Sequence, residues 1–515
     1  MIVDAECPKV SVVVPTHDCG PHIDRLIASL ERQSLPAGEF EVIFVDDGST
    51  DGTPQRLDDL AATRPHFHVV HLANSGWPSR PRNVGVERAR GEYVFFADDD
   101  DWFADEALER LHACARAHDA DIVVGKMAGH RRSVPRELFR KNRFDATLAN
   151  APLIDSLTCH KLFRRAFLDK HELRFSEGPH RRLEDHRMVV RAYLLSGRTC
   201  VLADYTCYHH QRRADAGNVT ANRMEPAEYY AALREALDIV DAHIPPGPLR
   251  DRLHRRWLRN EMVERLRGRR MTDAPADWIE QVAGEIRQII RDRFAPGVAA
   301  GLPPLHRAIA SLAEQGRVAD LRRLAEWEAG VRAHAAVRRW SVAGSTLALT
   351  VAAQLCAGEE PMRFGADGRD LPVFPVAGVE PPPGATPAGR PKVDLVARHR
   401  DSQEEIFLPV TVETERVPDG DAVRIVHRVT ATVDFTALNG GRTRGTWQLK
   451  ARVTGAGWTR DTRLPLLVHC AADGAPPRLE NERGLWSRLR RATHRLRRVT
   501  RRLRRRPAAQ LVLAA

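Results

Sequence analysis

Glu41-Val42-Ile43-Phe44-Val45-Asp46-Asp47-Gly48-Ser49-Thr50-Asp51-Gly52-Thr53 is the stretch on which the fold turns. Five residues that read as a buried strand stop at a run of acids and turn formers, where Asp, Gly and Ser favour a tight change of direction and a helix start. The pattern recurs on both sides. Val10–Val14 is an apolar run closed by Pro15, after which Ile23, Leu26, Ile27 and Leu30 return at helical spacing. Further strands are expected at His68–Leu72 and Tyr93–Ala97, and a helix over Asp105–Ala117 with Ala107, Leu108 and Leu111 on one face. Strands alternating with helices predict an α/β domain with a mostly parallel sheet and right-handed crossovers. Such sheets bind ligands beyond the carboxyl ends of their strands. The polar clusters at 46–51 and 98–101 fall there.

The second cluster, Phe95-Phe96-Ala97-Asp98-Asp99-Asp100-Asp101-Trp102, is the more demanding. Four consecutive acids repel one another unless a cation or water relieves them. An acidic helix cap would account for one of the four. A hard cation such as Mn²⁺ or Mg²⁺, shared with a diphosphate, would account for the set. The acids of the first cluster can accept hydrogen bonds from a base and a ribose. Asn74-Ser75-Gly76 comes next, and Pro81-Arg82-Asn83-Val84-Gly85 opens a helix, where an arginine can meet nucleotide phosphates.

Taken in order, Ser11-Val12-Val13-Val14-Pro15-Thr16-His17-Asp18, the VDDGSTDGT segment, the RNVG segment at 82–85 and FADDDDW at 96–102 resemble the donor domain of family 2 glycosyltransferases. The resemblance continues through Lys161-Leu162-Phe163-Arg164-Arg165, Glu184-Asp185-His186 and Tyr208-His209-His210 with Arg213, and spans residues 1–220. It implies a GT-A fold and an enzyme that moves a sugar from a nucleotide-sugar donor, a UDP-sugar by family habit, onto a hydroxyl with inversion at the anomeric carbon. Position by position it implies Asp47 as the acid that reads the base, Pro15 and His17 flanking that base, and Asn74, Arg82, Asp98 and Asp99 on the donor. It implies Asp100 on the metal, with His209 or His210 either approaching the metal or serving the structure. Asp185 matches the catalytic base. His17 stands where an aromatic is more usual, and Asp99 fills a variable position, so the division of labour between Asp99 and Asp100 stays open.

Composition shifts after residue 220. Residues 221–339 are mostly helical in pattern, for example Asp251–Arg267, with breaks at Pro245-Pro246 and Pro303-Pro304. Residues 340–473 predict a β-sandwich. In it Trp340–Gly358 reads as one half-buried strand, Val423, Ile425, Val429, Ala431, Val433 and Phe435 alternate, and the Pro-rich 381–391 reads as a loop. This layout resembles the enzymes that glycosylate wall teichoic acid. That likeness implies a hydroxylated cell-envelope polymer or glycolipid as acceptor, and a homo-oligomer held through the C-terminal region. The rival is a degenerate transferase-like protein that only binds polymer or membrane. Retention of Asp47, Arg82, Asp98, Asp100 and Asp185 together argues against it.

The chain of 515 residues, 43% hydrophobic and 29% charged, is expected to fold as several domains. Its eight cysteines show no CxxC pair and read as reduced thiols. Neither a secretory leader nor a membrane span is read from it, and the expected location is cytoplasmic, peripheral on the inner face of the membrane. The net charge of +11 has a local source: Arg483–Arg506 holds about a dozen arginines and no acid. Leu485, Leu489, Ala492, Leu496, Val499 and Leu503 step through it by fours and threes. The residues 474–515 are therefore expected to carry a basic amphipathic helix that lies on an anionic membrane surface, with a coiled-coil seam as the rival. No RNA-binding motif accompanies these arginines, so nucleic acid is not an expected partner.

Each arginine near an anionic surface contributes about 1 kcal/mol, screened by salt, whereas the apolar seam is not screened. Removing the residues after Asn481 is expected to abolish co-sedimentation with anionic vesicles while sparing transfer to a small soluble acceptor. A truncated chain that still sediments contradicts the membrane role.

Overall fold

A run of apolar residues with no exposed position needs a strand on each side and a cover on each face, and β1 (Val10–Thr16) has both. It pairs in parallel with β2 (Phe40–Asp46) and β4 (Tyr93–Phe96), and β2 pairs in parallel with β3 (Phe67–His71). Helices α1 (Asp24–Glu31), α2 (Thr53–Thr63) and α3 (Ser79–Arg88) make the crossovers. The computed structural model describes residues 7–211, 224–379, 392–441, 443–471 and 475–481. The arginine-rich segment 483–506, Arg213 and the Pro-rich 381–391 lie outside the described residues.

The second half of the sheet is mixed. After β5 (Trp102–Phe103) and α4 (Ala107–Ala117) come β6 (Ile122–His130), β7 (Arg143–Ala146), β8 (Leu162–Arg164), α5 (Arg165–Lys170), α6 (Glu184–Leu195) and β9 (Thr199–Gln211). The order across the sheet is β3-β2-β1-β4-β8-β6-β9-β5, with β7 also on β9. β8 runs antiparallel between β4 and β6, while β6 and β9 are parallel. The topology brings the ends of β1, β2 and β4 and the far end of β9 to one edge.

The RNVG segment shows why α3 lies where it does. A Cβ built on Gly85 would stand 2.2 Å from Val13 Cγ1, so only glycine lets the helix approach β1 this closely. Asn83 holds the Phe175 backbone from both sides, donating to its carbonyl and accepting from its N–H, each at 2.8 Å. Gly48, at φ +69°, turns the chain after β2 where a side chain would meet the Asn74 amide at 2.6 Å.

A helical array comes next, from α7 (Pro226–His243) and α8 (Pro248–Trp257) through α9 (Gly268–Thr272), α10 (Ala276–Arg293), α11 (Pro296–Ala300) and α12 (Pro304–Gln315) to α13 (Val318–Glu328). The predicted continuous helix over 251–267 is broken: Leu258–Met262 forms a π turn and Val263–Arg265 a 3₁₀ turn. This array and the nine-stranded sheet belong to one compact unit.

The second unit is built of two antiparallel sheets with alternating buried positions, such as Leu347, Leu349, Val351 and Ala353 against Thr346, Ala348 and Thr350. Three boundaries differ from expectation. The first strand spans Val331–Ala343, inside the stretch read as helical to 339, because its Arg-rich, largely exposed sequence carries no alternating apolar signal. Trp340–Gly358 is two strands, since Gly344 at φ +58° turns the chain between Ala343 and Thr346. The strand region also runs past 473: Arg478–Asn481 pairs with Leu466–His469. No helix among the described residues is long and apolar enough to cross a membrane.

Enlarging Gly85 tests the close approach of α3. Gly85→Ala is expected to destabilise the protein by about 1–3 kcal/mol, read as a lower urea midpoint, because the added methyl overpacks Val13.

Candidate active site

A cleft of about 1130 Å³ opens at the carboxyl edge of β1, β2 and β4. Pro15, His17, Asp47, Asn74, Arg82, Asp98, Asp99, Asp100 and Asp185 all line it, so the structure brings the sequence-predicted residues together, apart from His209 and His210.

One end of the cleft is organised around Asp47. Its carboxylate accepts from the Ser75 N–H (3.0 Å) and the Ser75 hydroxyl (2.9 Å), and its backbone carbonyl lies 3.1 Å from His17 Nδ1. Asn74 reaches the other ring nitrogen of His17 at 3.4 Å. Each Asp47 oxygen keeps a lone pair, so an N–H from a base can still be accepted there. Beneath the turn, Asp18 accepts from the Thr50 and Asp51 amides and fixes the Asp-Gly-Ser-Thr loop against β1.

The floor is made by Asp98, Arg82 and Glu184. Arg82 is buried, donating to Asp98 Oδ1 at 2.9 Å and to Glu184 Oε1 at 3.1 Å, with Phe175 against its guanidinium face at 5.2 Å. Both terminal nitrogens are thereby committed to acids. This makes Arg82 a bridge between β4 and α6 at the wall of the cleft. Burial works to raise the Asp98 acid, but the paired Arg82 guanidinium, by charge and by hydrogen bond, helps hold the carboxyl well below its usual range.

Beside Asp98 a set of ligand-type atoms converges. One atom each from Asp98, Asp101, His160 and His210 lies within 4.8 Å of the others. His160 Nδ1 donates to the Phe96 carbonyl at 3.2 Å, which leaves the Nε2 lone pair toward Asp98 Oδ2 (3.5 Å) and Asp101 Oδ2 (3.9 Å). Burial, despite Asp98, pulls the His160 imidazole down to about 4, so the ring is neutral. Asp101 takes the Gln211 N–H on Oδ1, while its Oδ2 and the His210 Nε2 are buried with no hydrogen-bond partner among the described residues. Burial, then Asp98 and Asp100, push the Asp101 acid well up. Buried orphan atoms in an O₂N₂ set fit a divalent cation. The group whose geometry could hold a cation is thus Asp98, Asp101, His160 and His210, and Asp100, the metal residue expected by sequence, lines the cleft outside that group. Of the two histidines left open, His209 instead stacks on Trp102 at 5.0 Å and meets His130 at 3.0 Å.

Next to Glu184, Leu183 is held at φ +59°, a left-handed conformation that a leucine adopts only under constraint, and α6 starts at Glu184. Asp185 thus sits in the first helical turn, its Oδ1 accepting from the His186 N–H at 2.8 Å. Burial, and then the adjacent Glu184, push the Asp185 acid up to about 7 against the opposing pull of Arg82 and Arg256. A carboxylate with that value is a competent base near neutral pH. Behind it the fully buried Lys161 ammonium donates to the Thr158 carbonyl, with burial drawing the amine down to about 8.

Several of these residues carry little signal in the sequence. His160 lies one residue outside the Lys161-Leu162-Phe163 segment that marks the family, and alone it looks like any core histidine. Glu184 is visible only as half of an acidic pair. Tyr229, Glu261, Arg265 and Trp278, from the helical array, also line the cleft, and nothing in their spacing announces it.

Comparison with known proteins agrees with this layout. Residues 11–172 match glycosyl transferase family 2, and residues 226–325 match the glycosyl transferase TarS linker domain. The chain is 32% identical over 305 residues to poly(ribitol-phosphate) β-N-acetylglucosaminyltransferase TarS of Staphylococcus aureus strain MW2, covering 58% of this chain and 52% of TarS. It is 30% identical over 236 residues to the TarP enzyme of S. aureus strain N315, covering 44% of this chain and 70% of TarP. The crystal structure of S. aureus TarS 1-349 in complex with UDP-GlcNAc superposes with a TM-score of 0.54 at 26% identity, over 66% of this chain and 96% of that one. The matched region spans about half the length of TarS.

The raised Asp185 value has a consequence for stability. Its folded value exceeds the unfolded one, so the cost of ionising it is absent below about pH 4 and full above about pH 7. Asp185→Asn is expected to raise Tm at about pH 8 while lowering turnover by about 10² or more. An unchanged or lower Tm there contradicts the burial of this charge.

Proposed function

Since this chain belongs to the family 2 glycosyltransferases, we propose that its cleft moves a sugar from a uridine nucleotide-sugar to a hydroxyl of a cell-envelope polymer such as a teichoic acid, with inversion at the anomeric carbon. The observation that carries the reading is Asp185. A carboxyl pushed up to about 7 shares one cleft with the Asp47 turn and the Asp98–Asp100 cluster, which supports a base opposite a donor site. The named substrates of the relatives, poly(ribitol-phosphate) for TarS and TarP and UDP-GlcNAc in the TarS complex, support the donor and acceptor classes.

The chain's own groups then divide the work. Asp47 accepts from the base, with Pro15, His17 and Asn74 lining the same end of the cleft. Asp98, Asp101, His160 and His210 would hold Mn²⁺ or Mg²⁺, with Asp99 and Asp100 on the cleft side. A bound divalent cation supplies positive charge against the negative charge that develops on the leaving diphosphate. Arg82 adds a fixed positive charge beneath the same place while keeping Asp98 and Glu184 apart. Asp185 takes the proton of the acceptor hydroxyl as that oxygen attacks the face away from the leaving group. One base is enough, because a single displacement needs no covalent intermediate. The arginine-rich 483–506 would hold the enzyme at an anionic membrane, and the C-terminal strands would serve assembly into a homo-oligomer.

A panel of nucleotide-sugars with and without Mn²⁺ tests the reading. UDP-GlcNAc with Mn²⁺ is expected to raise Tm more than other donors, since a ligand of the folded state stabilises it by mass action, and excess EDTA is expected to abolish transfer. Full activity in EDTA, or a panel in which no UDP-sugar binds, overturns it.

A further inference from the structure

The helical array is more than a spacer behind the donor domain. Where α8 ends, the Leu258–Met262 π turn carries Glu261 into the cleft wall. A π turn leaves backbone groups to be satisfied elsewhere, and the Glu261 carbonyl accepts from Arg265 Nε at 3.0 Å and from the Tyr230 hydroxyl at 3.2 Å. The Glu261 carboxylate is held just as firmly. It accepts from the Tyr229 hydroxyl at 2.5 Å and from Arg256 Nη1 at 2.8 Å, with Arg265 at 3.5 Å. Burial opposes its ionisation, but the Arg256 and Arg265 guanidiniums outweigh that and keep the carboxyl ionised.

Arg256 is the centre of this arrangement. It is buried, and its guanidinium lies along the imidazole of His186, 3.4 Å from each ring nitrogen. His186 follows Asp185 in α6. Burial, and then Arg256, draw the His186 ring down to about 3, so it is neutral and cannot itself supply positive charge to its neighbour. The charged and titratable groups that act on Asp185 are Glu184 and His186 on its own helix, Arg82 from α3, Cys159 and Lys161 from the segment leading into β8, and Arg256 from α8, which lies against the adjacent His186. Arg82 is committed to Asp98 and Glu184. Among the described residues Arg256 is tied to no acid of the donor domain in that way; its carboxylate partner, Glu261, belongs to its own helical array.

We propose that Arg256 is a positioning residue for the base: clamped between Glu261 and His186, it holds a positive charge beside the Asp185 carboxylate and so keeps the base ionised at the pH where the acceptor attacks. The array thereby completes the active site electrostatically, and Glu261 sets how much of the Arg256 charge Asp185 feels. The inference rests on the reading of Asp185 as the base.

The test is the pH dependence of kcat and kcat/KM for the full chain and four variants, with UDP-GlcNAc and a polymer acceptor. Removing a positive charge near a carboxylate makes it harder to ionise, so Arg256→Ala is expected to move the acid limb to higher pH, with roughly tenfold loss below the limb and far less above it. Arg256→Lys retains the charge and is expected to restore the parent limb. Glu261→Gln removes the acid that offsets Arg256 and is expected to move the limb the other way, to lower pH. A merely structural clamp would lower activity by one factor at every pH. That result, or a shift of Arg256→Ala and Glu261→Gln in the same direction, overturns the proposal. If Arg256→Ala does not fold, the direction of Glu261→Gln decides, and an unmoved or raised limb overturns it. Asp185→Asn separates the two claims: a variant with parental turnover refutes the base itself, whereas a dead Asp185→Asn with an unmoved Arg256→Ala limb refutes only the clamp.

Discussion

The Arg82 guanidinium, buried between Asp98 and Glu184, is the contact on which the rest of the site depends. It joins the end of β4, where the acidic run 98–101 begins, to the first turn of α6, where the proposed base Asp185 sits. A buried carboxylate, Glu184, and a part-buried one, Asp98, on elements far apart in sequence would repel each other and stay hydrated. One planar cation between them removes both penalties and fixes their separation. Breaking such a pair leaves an uncompensated buried charge, so the geometry is held far more tightly than surface ion pairs could hold it. Asn83 and Gly85 serve the same end, one gripping the Phe175 backbone and the other letting α3 lie against β1.

Around that bridge the cleft separates acids by environment. Asp98 is ionised because the Arg82 guanidinium is paired with it, whereas Asp185 is pushed up because burial and Glu184 outweigh the cations near it. Two carboxylates with values driven apart in one cleft can take two roles, one binding and one proton-accepting. The helical array closes the other wall. Its π turn at Leu258–Met262 is a local departure from regular helix that delivers Glu261, and with it Arg256, to the catalytic side. The cleft is therefore lined by residues beyond the segment that the motifs outline.

Much of this was legible in the sequence because parallel strands announce themselves. Val10–Val14 and Glu41–Val45 are nearly uninterrupted apolar runs, and the residues just after each must lie at the ligand-binding edge. Asp47, Asp98–Asp100 and Asp185 could be placed because they occur in fixed order around those strands. The candidate cation set could not. Asp98, Asp101, His160 and His210 come from the end of β4, the segment before β8 and the end of β9, and only the mixed strand order brings them within 4.8 Å. Arg82 was legible as a cation near the donor but not as a bridge, since its partner Glu184 is about a hundred residues away. Val331–Ala343 misled for a different reason: an edge strand rich in arginine, exposed along much of its length, has no alternating apolar face to read.

The account stands or falls on Asp185 as a buried base. Difference infrared spectroscopy of the full chain against Asp185→Asn, taken across pH, isolates the titration of this one carboxyl. The structure predicts a midpoint near about 7, with the protonated acid band persisting through the mildly acidic range. A carboxyl that is fully ionised by about pH 5, as an ordinary solvated aspartate is, would contradict it.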